Sequence, residues 1–241
     1  MGKYGVDLKD GINLEGLLHM IKREGFPLRI RLSSLEPNEI GEGLIEMMAA
    51  ENWLCRHLHI PLQSGDNGIL KGMNRPYTAQ DFSGLIERIH RRIPLASIGV
   101  DVMAGFPGED LHAFQETFSL IQDLPISYLH IFPFSPRRGT KAAGFSGHVN
   151  QACIKERATQ LRSLGQRKKE VFYRSCLGKE FLALAEGWES EEKKLMKGMT
   201  DNYLPAVFPS SHDLKNQFVP VALESLEQGR VVGKPVQSQK D

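Results

Sequence analysis

Apolar positions along the first 150 residues switch between two periods. Leu14, Leu17, Leu18 and Ile21 recur at helical spacing behind Asn13, a natural N-cap, and Gly25 closes that run. Residues 29–35 (RIRLSSL) then alternate, with Ile30 and Leu32 set against Arg29, Arg31 and Ser33. Glu36-Pro37-Asn38 opens a second helical run through Leu44, Ile45, Met47 and Met48. Alternation returns at 57–63, where Leu58, Ile60 and Leu62 stand against His57, His59 and Gln63. Thr78 heads a helix carrying Phe82, Leu85, Ile86 and Ile89, and Ile98, Val100 and Val102 then alternate around Asp101. A helix with Phe114, Phe118 and Ile121 leads to 128–134, where Leu129 and Ile131 alternate with Tyr128, His130 and Phe132. Strands recurring every ~30–40 residues with helices between them predict a parallel sheet or a βα barrel.

A parallel strand covered on both faces is almost wholly aliphatic. Each of these four is aliphatic on one side only, so the shared polar side predicts a lumen lined by working side chains. The stretch 99–109 (GVDVMAGFPGE) is the centre of the pattern: a strand ending in Gly105 and Gly108, stiffened by Pro107, and opening into a helix with Glu109 and Asp110 in its first turn. Ligands of βα folds sit beyond the carboxyl ends of strands, and a tight structural turn is the competing reading of the same glycines. His57 and His59 lie several residues before the strand end, which predicts interior histidines with satisfied polar atoms and no metal.

From 151 to 174 a helix carries Lys155, Arg157, Arg162, Arg167, Lys168, Lys169 and Arg174 against only Glu156 and Glu170. Such a face suits phosphate tracking or plain solvation. After Gly178 the βα rhythm ends, and short β-like pieces at 180–185, 195–199, 203–208, 217–223 and 230–233 predict a small β-barrel. The expected organisation is an α/β partial barrel over 1–150, a basic connecting helix over 151–175, an all-β barrel over 176–234, and a disordered tail from 235 to 241. Residues 1–11 read as a loop. Net charge is +1, so any basic surface is local, and the three scattered cysteines fit a reduced, cytoplasmic setting. No apolar run is long enough to span a membrane.

The stretches RLSSLEP (31–37), HIPLQSGD (59–66), LKGMNRPYT (70–78), GVDVMAGFPGE (99–109) and HIFPFSPRRGTKAA (130–143) resemble the radical S-adenosylmethionine tRNA methylthiotransferases. GKEFLALAEG (178–187) and DNYLPAVF (201–208) look like that family's RNA-binding TRAM module. FPFSPRRGT and NYLPAVF are most similar to the branch acting on N6-threonylcarbamoyladenosine at tRNA position 37. The resemblance implies a partial radical-SAM (β/α) barrel of about four strands followed by a TRAM-like barrel. It also implies chemistry in which one [4Fe–4S] cluster cleaves S-adenosylmethionine, a second supplies sulfur, and a second S-adenosylmethionine supplies a methyl group. Ser33, Glu36, Gln63, Ser64, Gly105, Phe106 and Phe132 are the implied cofactor binders. Asp101 and Arg31 are the implied charged pair orienting the target base, and Arg75, Arg137, Lys168, Lys169, Arg174 and Tyr203 the implied tRNA contacts.

The sequence departs from that family where its CxxxCxxC cluster motif should stand: none occurs here, and neither do the preceding domain and the first two barrel strands. Asp66, Asp110 and Arg138 replace the usual serine, threonine and proline. The implied chain is therefore a carboxy-terminal part of such an enzyme, without cluster ligands, inactive alone, and dependent on an amino-terminal half. Two other readings stay open: an RNA-binding module built on the small barrel and the basic helix, and a barrel metal hydrolase using His57, His59, His130 and Asp101.

Overall fold

The computed structural model describes residues 4, 5, 7, 11–25 and 28–236; most of the expected opening loop and the tail beyond 236 lie outside them. Helix α1 (Leu14–Glu24) begins where the Asn13 side chain accepts from Gly16 N and ends at Gly25, whose φ of 65° is left-handed. Helix α2 is Glu42–Ala50, preceded by a single 3-10 turn at Pro37–Glu39 instead of the continuous helix that Glu36-Pro37-Asn38 predicts. Asp66, Thr78 and Asp110 cap α3 (Asn67–Gly72), α4 (Ala79–Arg92) and α5 (Leu111–Asp123). Each cap satisfies an amide the helix cannot, worth about 1 kcal/mol.

Three parallel strands, β1 (His57–Gln63), β2 (Ser97–Ala104) and β3 (Tyr128–Pro133), form a sheet in the order β1-β2-β3. Leu58, Ile60, Leu62, Ile98, Val100 and Val102 point into one core beneath the helices. Residues 29–35 do not become a fourth strand. Only Ile30 bridges, to Leu54, and Leu35 N reaches His59 O. Ser34, at φ 58°, takes the chain out of extended geometry before a ladder can form. Leu32 is nevertheless buried and Ile30 packs on the core while Arg31 is exposed, so the alternation reported sidedness correctly up to Ser33 and pairing incorrectly. Leu35, of the opposite phase, is buried because the chain has turned at Ser34.

In β2, Gly99 pairs in register with Tyr128, and a Cβ at Gly99 would overlap the Tyr128 ring. The phenol therefore lies across β2 only because position 99 is bare. Gly99→Ala is expected to lose about 1–3 kcal/mol of stability by overpacking; an unchanged urea midpoint would contradict this.

Helix α6 (Gln151–Ser175) packs along β3, with Gly165 allowing close approach to Leu129. Beyond it β4 (Glu180–Ser190), β5 (Leu195–Thr200), β6 (Pro205–Pro209), β7 (Phe218–Glu227) and β8 (Arg230–Pro235) close into a barrel of order β4-β5-β6-β8-β7. Phe181, Met196, Phe208, Val221 and Val231 fill it. All five β pieces thus appear where alternation placed them. The β8 pairing reaches Pro235 and Val236 N donates to Pro220 O, so the ordered chain passes the expected boundary at 234.

A polar joint ties the barrel to the sheet. The Arg29 guanidinium donates to Leu182 O and Met199 O at 2.7 and 2.8 Å, Arg56 N donates to Asp201 O, and the buried Asn202 amide donates to Leu95 O. No helix among the described residues is long and apolar enough to cross a membrane.

Candidate functional site

Parallel register stacks the polar side chains of the three strands on one face. Asp101 stands opposite Pro61 and His130, and Gly99 opposite His59 and Tyr128. The Tyr128 hydroxyl lies 2.8 Å from His57 Nε2, and its ring stacks on His59 at an interplanar angle of 9°. Asp101 Oδ1 lies 3.1 Å from His59 Nε2 and 3.5 Å from His130 Nδ1. The expected common polar face therefore exists, across three strands. His57 is fully buried, and burial, reinforced by the charges of Arg31 and His59, drives its pKa down to about 3, so it is neutral. Burial pushes the Tyr128 phenol up to about 12. Neither histidine is the satisfied interior residue that its position predicted: His57 Nδ1 and His59 Nε2, like Asp101 Oδ1, are buried without a hydrogen bond.

At the carboxyl end of β1, Gln63 sits at φ 65° just past a register shift from Pro61. A non-glycine residue held there costs roughly 1–2 kcal/mol, a strain that concentrates at functional sites. Glu36 and Arg75, expected in different roles, form one ion pair at 3.0 Å, while Glu36 Oε2 is buried without a partner. That orphaned carboxylate oxygen suits an ammonium or a ribose hydroxyl. Tyr77, which nothing in the sequence singled out, braces this corner by donating to Pro61 O at 2.8 Å, and burial raises its pKa. Ser33 is partly exposed on the segment leading to Glu36. Ser64 turns away from the rim: fully buried, its hydroxyl lies 3.2 Å from Thr117 Oγ1 of α5.

The glycine turn answers to packing. A Cβ on Gly105 would strike the Ile154 side chain, so the bare backbone lets α6 approach, not a ligand. Gly108 N donates to Gly147 O. Phe106 is buried against Ile69 and Ala113, edge-on to Phe134 and Phe145. Neither Gly105 nor Phe106 is open to an adenine, because α6 and residues 141–148 cover the turn. Glu109, 1% exposed, accepts from Gly105 N at 3.0 Å and from Arg157 at 2.6 Å. Phe132 remains half-exposed on β3.

Arg31 does not pair with Asp101; its guanidinium lies over the Tyr203 ring at 4.2 Å, and Tyr203 packs against His57 at 4.5 Å. Tyr203 therefore serves the joint between sheet and barrel. Lys168 is turned inward, its ammonium donating to Gln122 O and Leu124 O at 2.6 Å each, where it neutralises the carbonyl end of α5 and burial lowers its pKa. Arg174 is paired with Glu170, and Lys169 lies over the Tyr173 ring at 5.3 Å. Arg137 and Arg138 are exposed and without an ion pair among the described residues. Between β3, α6 and the small barrel lies a cavity of about 510 Å³ lined by Tyr128, His130, Arg162, Lys169, Tyr173 and Tyr203.

Cys55 and Cys176 are buried and Cys153 is exposed; no three thiols come together. An iron–sulfur cluster needs grouped thiolates, so these residues do not fit one.

Residues 5–121 match the Radical SAM superfamily. The chain is 40% identical over 205 residues to the threonylcarbamoyladenosine tRNA methylthiotransferase of Aquifex aeolicus, covering 85% of this chain and 48% of that protein. The enzyme of the same name from Bacillus subtilis is 36% identical over 226 residues, covering 92% and 50%. The tRNA-2-methylthio-N(6)-dimethylallyladenosine synthase of Moorella thermoacetica is 31% identical over 236 residues, covering 98% and 53%. The chain spans about half the length of these curated relatives. Over residues 5–121 the chain thus matches the Radical SAM superfamily, and along most of its length it is similar to tRNA methylthiotransferases at 31–40% identity.

Proposed function

We propose that this chain is the substrate-handling part of a methylthiotransferase that modifies C2 of N6-threonylcarbamoyladenosine at position 37 of tRNA. The observation that carries the proposal is the convergence of three polar strand faces with a small β-barrel fastened to the same sheet by Arg29, Arg31 and Arg56. The higher identity to the two threonylcarbamoyladenosine enzymes supports that branch. S-adenosylmethionine, when bound, supplies the methyl group. Glu36, through its unpartnered oxygen, and Gln63, held at the strand end, would bind its polar groups with Ser33, and Phe132 offers an exposed ring for a base. Asp101 lies on the polar face where the target base would enter. The cysteines of this chain do not group, so the reading assigns it no cluster and no methylthio transfer on its own.

A pure RNA-binding module resting on the basic helix loses part of its surface, because Lys168, Arg157 and Arg174 are engaged within the protein, while Lys155, Arg162 and Arg167 stay exposed. Among the described residues Arg137 and Arg138, like Lys155, Arg162 and Arg167 of α6, are exposed cations outside any ion pair, and they fit phosphates. Arg137→Glu with Arg138→Glu is expected to weaken tRNA binding at least tenfold and to flatten its salt dependence by one or two phosphate equivalents. Lys168→Glu is expected to lower stability instead. Fluorescence anisotropy at several salt concentrations decides; unchanged affinity in the double variant would sink the phosphate assignment.

A further inference from the structure

We propose that His59, Asp101 and His130 form a binding site for a divalent transition metal on the polar face of the sheet. One ligand atom from each residue lies within 4.8 Å of the other two, and among the described residues these three alone are so grouped. Asp101 Oδ1 is 3.1 Å from His59 Nε2 and 3.5 Å from His130 Nδ1. With metal–ligand bonds of about 2.0–2.1 Å, neighbouring donors around a tetrahedral ion lie about 3.3 Å apart, so both separations match edges of that polyhedron.

Two of the donors are also unspent. His59 Nε2 and Asp101 Oδ1 are buried and neither makes a hydrogen bond, although they face each other. A buried acceptor left this way costs about 1–3 kcal/mol, and a shared cation removes the cost for both at once. The His59 ring is held by stacking on Tyr128, which fixes the direction of its nitrogen before any ion arrives. His57, the fourth residue of the metal reading made from sequence, is not part of the set: it is bonded to the Tyr128 hydroxyl.

Two imidazoles and one carboxylate suit zinc, cobalt or iron(II) and discriminate against magnesium and calcium. Three protein ligands leave a coordination position open, and His130 lines the 510 Å³ cavity beside α6, so that position is reachable from outside. The site stands on these side chains alone; it shares Asp101 with the tRNA reading but needs no tRNA to bind its ion.

Chain stripped with chelator and titrated with Co2+ alone tests the proposal. The expected result is one equivalent bound with visible d–d bands, displaced by one equivalent of Zn2+. Asp101→Asn and His130→Ala should each weaken binding at least tenfold, and Zn2+ should raise the melting temperature of the parent chain but not of either variant. Cys153→Ser and His212→Ala, which remove an exposed thiol and an exposed imidazole, should leave binding unchanged. Absence of saturable Co2+ binding overturns the site. So does binding that survives both ligand substitutions or follows Cys153 and His212, which marks an adventitious ion only. Anisotropy with tRNA in the metal-free chain reports separately on the proposed function.

Discussion

Acidification from pH 6.5 to pH 3 is expected to remove up to about 4–5 kcal/mol of stability through His57 alone. Folding lowers the pKa of this imidazole from 6.5 to about 3, because charging it would strand a cation in a dry site beside Arg31. In the unfolded chain it takes a proton as soon as the pH falls below 6.5. The unfolded state therefore binds more protons across the whole window, and unfolding free energy falls with falling pH; above 6.5 both states are neutral and the effect vanishes. Carboxylates add their own acid dependence, so the readout is a difference between two proteins. His57→Gln should lower stability modestly at neutral pH, by loss of the Tyr128 hydrogen bond, and should flatten the slope by about 1.4 kcal/mol per pH unit between pH 6 and 4. Parallel slopes for parent and variant in urea titrations would contradict the burial argument.

Arg157→Ala is expected to destabilise the chain by about 3–5 kcal/mol, the cost of leaving a buried carboxylate without its partner. The Arg157 side chain is 12% exposed and the Glu109 side chain 1%, so solvent cannot replace the lost cation. This pair clamps α6 to the turn after β2, and α6 leads directly into the small barrel. Burial raises the Glu109 pKa, with Arg157 and the Gly105 amide opposing it. Without Arg157 that rise grows, so the folded variant holds a proton that the unfolded chain releases. Its deficit should therefore shrink as the pH falls towards the ordinary carboxylate range and widen as it rises. Replacing both residues with apolar side chains, Glu109→Leu with Arg157→Met, should recover most of the loss. A single-variant cost below about 1 kcal/mol would show that the pair is not a clamp.

Side-chain periodicity made much of this fold legible. Strict alternation at 57–63, 98–103 and 128–132 predicted one apolar and one polar side for each strand, and the parallel register aligns those polar sides as expected. Asn13 and Thr78 are helix starts readable by type, whereas Asp110, expected inside the first turn, is the N-cap of α5, and Asp66, not expected as a cap, caps α3. Other features depend on which body approaches which, and that is not encoded locally. Bare backbone at Gly105 is required equally by a ligand and by a crossing helix, and here it is Ile154 that arrives. The alternation at 29–35 is genuine, yet Ser34 ends the extended run and only Ile30 finds a bridge. Lys168 belongs to a charge run suited to solvent or phosphate, but tertiary packing brings the end of α5 within reach of its ammonium. The buried pair of Glu109 and Arg157 had no sequence signal beyond opposite charge at long separation.

The most direct test of the tRNA assignment compares two anticodon stem–loops, one carrying N6-threonylcarbamoyladenosine at position 37 and one with plain adenosine there. Measured by anisotropy against the chain at fixed salt, the modified loop should bind several-fold more tightly, and Asp101→Ala should erase that preference while leaving phosphate-driven affinity in place. Equal binding of the two loops by the parent chain, with good affinity for both, would mean that the polar face of the sheet does not receive the modified base.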